Sequence, residues 1–252
     1  FFSKEIFTRL NKVLAQSEPH AERFKDLGVK SGAIQVTGTV KFDLIPTSAK
    51  SNTNLDSFIK TKNIIAVSTH HGEDEIILRA FIEVLTHFPN IKLIIVPRHP
   101  ERAAAIYKLA DKKNISACIE SEGIDTKSSI LIINSIGKTS VLYESAEAAF
   151  VGGSLVERGG HNIIEPAFFA SPIIIGPHMF NFESIAEEFI NNASCRVVHD
   201  SKSLANEFIH LLANKDEALN MIEAASKILD RNSGASDRQL SVIMDFLEGA
   251  NE

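Results

Sequence analysis

From Ile64 onward two patterns of hydrophobic and polar positions alternate. The runs "IIAVS" (64–68), "KLIIVP" (92–97), "SILIIN" (129–134), "AAFVGG" (148–153), "PIIIG" (172–176) and "CRVV" (195–198) are short and almost continuously apolar. Helix-like segments follow them. In Glu73–Phe88, residues Ile76, Ile77, Ala80, Phe81, Val84 and Leu85 recur at i, i+3/i+4 spacing, one face of a helix. Further helices are predicted over Glu101–Lys113, near Val141–Ala148, near Asn162–Ala170, over Asn181–Asn192 and over Ser201–Asn214. Apolar strands separated by amphipathic helices indicate a parallel sheet covered on both faces. Right-handed crossovers make this an α/β, doubly wound, Rossmann-like domain of about six strands. Ligands of such sheets sit beyond the carboxyl ends of the strands.

The flanking segments read differently. "KVLAQSEPHAERFKDLG" (12–28) is strand, turn and helix, with Gly28 as a C-cap, and "AIQVTGTVKFD" (33–43) is a strand running into a loop. Residues 1–45 border a neighbouring domain, 46–54 have linker composition, and 55–252 form the Rossmann-like domain with its C-terminal helices. Two of those helices are broken at Asn232-Ser233-Gly234.

The strand ends carry the candidate chemistry. "VGGSLVERGGHNIIEP" (151–166) places Gly152-Gly153 at a strand end and Gly159-Gly160 before a helix, with Ser154, His161, Asn162 and Glu165. Bare backbone admits a ligand closely, and a helix start offers free N–H groups to an anion. Asn162 suits an N-cap with Glu165 in a capping box, but Pro166 disfavours helical geometry at Glu165, which otherwise stays free at the site. In "STHHGEDE" (68–75), Ser68, Thr69 and Gly72 can serve an anion. His70 and His71 point to opposite sides, so they are not a metal pair, and the acids Glu73, Asp74 and Glu75 suit the helix dipole. "PRHPER" (97–102) exposes Arg98 and His99, with Arg98 suited to a bidentate oxyanion contact and Arg102 to solvent on the next helix. "NSIGKTS" (134–140) adds Gly137, Lys138, Thr139 and Ser140. "GPHMFNF" (176–182) adds His178, facing either ligand or solvent, and Asn181 as a helix cap. Together they suit a large anionic ligand such as a nucleotide joined to another group.

Composition narrows the classes. A net charge of −6 argues against a general nucleic-acid binder. Cys118 and Cys195 match no metal spacing and read as buried thiols. No apolar run approaches the ~20 residues of a membrane span, and no secretory signal is visible. The G-x-G-x-x-G and G-x-x-x-x-G-K-[ST] fingerprints are absent, which argues against NAD and P-loop ATP chemistry. No metal or cofactor is expected.

"STHHGEDEIIL", "PRHPER", "FVGGSLVERGGHNIIEPAFFASPIIIGPHMFNF" and "VLAQSEPHAERFKDLGV…VTGTVKFD" resemble 3-deoxy-D-manno-octulosonic acid (Kdo) transferases of Gram-negative bacteria, from about Val13 to at least Phe182. The resemblance implies an inverting glycosyltransferase of GT-B architecture that moves Kdo from CMP-Kdo to lipid IV-A, in lipopolysaccharide biosynthesis at the cytoplasmic face of the inner membrane. It implies that the carboxyl-terminal domain binds the donor. The amino-terminal domain would bind the acceptor and supply the catalytic carboxylate and the membrane anchor. On that comparison residues 1–45 are the last part of the acceptor domain, and the catalytic carboxylate has no counterpart here. The chain is then expected to bind donor without transferring sugar. Where the family has roughly D-T-M-G-E, this chain has "NSIGK", with Asn134 and Lys138 replacing acids; a lysine there can attract the CMP phosphate or the Kdo carboxylate. The alternatives are a nucleotide-sugar 2-epimerase of the same scaffold, using UDP, and a noncatalytic nucleotide-binding module.

Overall fold

The computed structural model describes residues 2–43 and 53–249; most of the expected 46–54 linker lies outside them. The chain divides into two compact units, Phe1–Ile45 with Leu229–Glu252, and Pro46–Ile228. The division departs from the expected boundary, because the end of the chain groups with its beginning.

In the first unit, α1 (Phe2–Phe7) precedes β1 (Val13–Ala15), α2 (Glu18–Asp26) and β2 (Ile34–Val36). β1 and β2 pair in parallel, Leu14 opposite Gln35. The last helix of the chain, Ala235–Gly249, belongs here for polar reasons that its sequence does not display. The Asp43 carboxylate accepts from the amides of Gly234 (2.6 Å) and Ser236 (2.5 Å), capping the helix from a distant segment. Arg238 Nε donates to the Thr37 carbonyl at 2.9 Å.

The second unit opens with α3 (Thr53–Ile59) and β3 (Asn63–Thr69). Then follow α4 (Glu73–His87), β4 (Lys92–Pro97), α5 (Ala103–Lys112), β5 (Ala117–Ile119), β6 (Ile130–Ile132), α6 (Thr139–Ser145), β7 (Ala146–Val151), α7 (Ile164–Phe168), β8 (Ile173–Ile175), α8 (Glu183–Asn191), β9 (Cys195–Val197) and α9 (Ser201–Ala213). The next helix, α10 (Lys215–Asn232), contains the division between the units, and α11 is the Ala235–Gly249 helix.

Among the described residues β3 to β9 form a seven-stranded, wholly parallel sheet, ordered β5-β6-β4-β3-β7-β8-β9. The seventh strand, β5, is a three-residue edge strand. The helix expected over Val141–Ala148 starts at Thr139 and yields at Ala146 to β7, where Ala148–Val151 are buried beside β3. Alternate residues of β3 serve the two faces. Ile64 and Ala66 pack with Phe81, Ile106 and Phe208 on one side, Ile65 and Val67 with Phe58, Leu142 and Tyr143 on the other. Both thiols are buried and free, and burial pushes Cys195 up to about 12. Among the described residues no helix is long and apolar enough to cross a membrane.

The order reverses direction at β3: β4 lies on one side, β7 on the other. In doubly wound sheets ligands sit beyond the carboxyl ends of the strands at such a switch point, and here the first glycine pair and the Ser68–Glu75 segment meet there.

Candidate functional site at the β3 and β7 strand ends

β3 ends in a bulge. Its register against β4 shifts between Val67 and Thr69, and Ser68 takes φ +58, an uncommon conformation for a residue with a Cβ. The distortion brings the Ser68 carbonyl against Gly152, where a Cβ would lie 2.6 Å from that oxygen. Gly152 is therefore a close-approach glycine whose neighbour is protein backbone. Gly153 (φ +70) leaves room for imidazoles, since a Cβ there would lie 3.0 Å from the His161 ring and 3.3 Å from the His70 ring. The second pair is folded onto the first, with the Gly160 amide donating to the Gly153 carbonyl at 2.8 Å and Gly159 and Gly160 packed against Asn181 and Met179.

The amides expected to meet a ligand are largely taken. Glu73, fully buried, accepts from the amides of His70 (2.8 Å) and Gly153 (2.7 Å) on one carboxylate oxygen, and of Ser154 (3.1 Å) and Leu155 (3.0 Å) on the other. Burial pushes its carboxyl up, and the four amide bonds pull against that shift. Glu73 stands in the first turn of α4, as the dipole reading expects, and has a further role: its carboxylate clasps the loops after β3 and β7 together. Asp74, also in the first turn of α4, has partners of its own. It accepts from Thr69 Oγ1 at 2.8 Å and pairs with Arg102, which also donates to the Thr69 carbonyl at 2.6 Å. Arg102 is thus a mostly buried ion-pair partner rather than a solvated residue, and Thr69 is a structural hydroxyl. Ser154 is too. Its Oγ donates to the Val151 carbonyl (2.5 Å) and accepts from the Gly176 amide (2.8 Å).

The capping expectations also change. Asn162 Oδ1 accepts from the Ile164 amide at 3.0 Å, an Asx turn ahead of α7, and Glu165 completes no capping box. Thr139 Oγ1 donates instead to Glu165 Oε1 at 2.5 Å, joining the start of α6 to the first turn of α7. Lys138 pairs with Glu120, whose other oxygen accepts from Ser135 Oγ at 2.7 Å, and Asn134 ties down Ser121. Lys138 is therefore neutralised, while Gly137 (φ +85) serves the turn beside it. Asn181 does not cap α8. Its amide side chain donates to the Arg158 carbonyl at 3.0 Å, and its backbone N–H to the Gly159 carbonyl at 3.0 Å. The His178 amide donates to the Ser154 carbonyl at 2.9 Å.

What remains open is a cluster of imidazoles and guanidiniums. His70 and His161 lie parallel, 1° apart with centroids at 5.1 Å, joined Nε2 to Nε2 at 2.8 Å, and His99 meets His70 edge-on at 5.9 Å. His71 is exposed. Burial, then His161, His99, Arg158 and Arg102, hold His70 down at about 4; burial, Arg98 and His99 lower His161. Arg98 and Arg158 are exposed, and among the described residues neither guanidinium has a carboxylate within ion-pair distance. Arg158 lies within the quoted glycine segment, yet nothing in its neighbours marked it. No group of acids, histidines or cysteines among the described residues is arranged to hold a metal.

Residues 1–44 match the family described as 3-deoxy-D-manno-octulosonic-acid transferase (kdotransferase). The chain is 31% identical to the 3-deoxy-D-manno-octulosonic acid transferase of Haemophilus influenzae, over 96% of this chain and 58% of that protein. It is 30% identical to that of Rickettsia felis, over 98% of this chain and 54% of the relative. The chain thus spans little more than half the length of these relatives. Among solved structures, the C-terminal CMP-Kdo binding domain of WaaA from Acinetobacter baumannii superposes with a TM-score of 0.66 at 29% identity, covering 70% of this chain and 93% of that domain. The S. aureus MnaA–UDP structure, at 15% identity and TM-score 0.64, shares the fold, over 96% of this chain and 62% of its own.

Proposed function

We propose, for a chain that belongs to the 3-deoxy-D-manno-octulosonic acid transferase family, that its Rossmann-like unit binds CMP-Kdo beyond the ends of β3, β4 and β7. It does so as the donor half of an inverting GT-B transferase that delivers Kdo to lipid IV-A at the cytoplasmic face of the inner membrane. Residues 1–45 are in this reading part of the acceptor domain, whose remaining residues supply the catalytic carboxylate and the attachment to the membrane.

One observation carries the reading: among the described residues two exposed guanidiniums at these strand ends, Arg98 and Arg158, have no carboxylate partner, while Arg102 and Lys138 are paired. The donor brings a phosphodiester charge and a sugar carboxylate. Arg98 presents a planar fork suited to the phosphodiester and stabilises CMP as charge develops on the leaving phosphate. Glu165, fixed through Oε1 by Thr139, directs Oε2 to the ribose hydroxyls.

Calorimetry of this chain with CMP, UMP, UDP and NAD tests the assignment. CMP is expected to bind most tightly, and tighter binding of UDP than of CMP would transfer the chain to the epimerase scaffold. Unchanged CMP affinity in Glu165→Ala would remove the ribose role. Sugar transfer by this chain alone would overturn the placing of the catalytic carboxylate outside it; nucleotide binding without turnover fits the donor half and a noncatalytic module equally, and the complete gene separates the two.

A further inference from the structure

His70 and His161 form a unit that the donor-binding reading does not by itself explain. With Nε2 atoms 2.8 Å apart, one ring donates and the other accepts, so the neutral pair holds one proton between its facing nitrogens. The accepting ring carries its own proton on Nδ1, so an added proton must enter on the bare Nδ1 of the donating ring. The charged groups that act most strongly on the rings are cations or another imidazole: His161, His99, Arg158 and Arg102 at His70, Arg98 and His99 at His161. The nearby carboxylates are engaged elsewhere. Glu73 holds the His70 amide and three amides of the β7 loop, Asp74 pairs with Arg102, and Glu101 lies 3.8 Å from His99 Nδ1. The Glu73 clasp also fixes the backbone that carries His70, and Gly153 leaves both rings room to lie over the loop.

We infer that the His70–His161 pair takes up a proton when an oxyanion of the donor enters between Arg98 and Arg158, so that donor binding is proton-coupled. The inference rests on the donor-site reading and adds residues and a proton to it. The step balances simply: the anion brings negative charge, one solvent proton adds to the bare Nδ1 of the donating ring, and the pair becomes an imidazolium–imidazole hydrogen bond. Without the anion the surrounding cations oppose that proton; with it they no longer do.

The probes are cytidine 5′-methylphosphate, a diester whose phosphate does not titrate near neutrality, and free Kdo, which carries only the carboxylate. Calorimetry between pH 5.5 and 7.5, in buffers of different ionisation enthalpy, reads the protons bound. Uptake approaching roughly one proton per ligand is expected, with Kd falling by up to about tenfold for each unit the pH is lowered. Uptake with the diester assigns the pair to the phosphate, and uptake with Kdo alone assigns it to the carboxylate. His70→Gln and His161→Gln should each abolish the uptake. Binding without uptake, or uptake undiminished in both variants, overturns the inference and leaves the donor site standing. Failure of both probes to bind removes the two together.

Discussion

Two regions at the strand ends carry nearly the same ingredients and end in opposite states. After β6, Asn134–Ser140 offers a glycine, hydroxyls and a lysine; after β4 and β7, the loops offer glycines, hydroxyls and arginines. In the first, Lys138 is held by Glu120, itself bound by Ser135, and the cation is spent on closing the turn. In the second, Glu73 and Asp74 at the start of α4 absorb the amides and Arg102, and Arg98 and Arg158 are left exposed. A cation is therefore available to a ligand only where the fold has already supplied the local carboxylates with other work. Burial of those carboxylates makes the partition firm, because a buried acid stripped of its donors is costly.

The comparison breaks most severely at Glu73. Glu73→Ala leaves four amides without their acceptor and is expected to cost about 3–5 kcal/mol, read as a shift in the urea midpoint, with nucleotide binding lost. If stability and binding both survive, the clasp is not what shapes the site. Next comes Gly152→Ala, whose Cβ meets the Ser68 carbonyl at 2.6 Å; roughly 1–3 kcal/mol should be lost in the same assay.

Arg98→Ala and Arg158→Ala sharpen the contrast with the β6 loop. If the proposed donor site is right, each removes a charged hydrogen bond to ligand and should weaken CMP binding by about 1.5–3 kcal/mol, with little change in melting temperature. Lys138→Ala should do the reverse, lowering the melting temperature because Glu120 is left without its cation, while CMP affinity stays within about twofold. Equal affinity losses at Lys138 and Arg98 would erase the distinction.

The smallest effect is on pH dependence. His70 sits at about 4 in the folded chain against an ordinary 6.5, so the unfolded chain binds its proton first as pH falls. The contribution of His70 is complete above pH 6.5 and is lost between about 6.5 and 4; His161 shifts in the same direction. Urea midpoints at pH 7.5 and 5 should show the decline, and His70→Gln should flatten it.

The alternation of apolar runs with helical spacing settles the class of fold before any contact is known, since strands such as "IIAVS" and "KLIIVP" can be buried on both faces only in a covered parallel sheet. It also places the polar clusters at the carboxyl edge, and names Arg98, His70 and His161 among the candidates. Strand order, the edge strand β5, and the grouping of α11 with the first unit come from contacts distant in sequence, such as Asp43 with Gly234. The same holds for the site. Nothing in "GEDE" separates Glu73, which accepts amides from two loops, from Glu75, which pairs with Arg79 on an exposed helical turn. Sequence specifies which groups can bear charge or donate hydrogen bonds. Whether such a group is spent or left free depends on a partner that only the folded backbone brings within 3 Å.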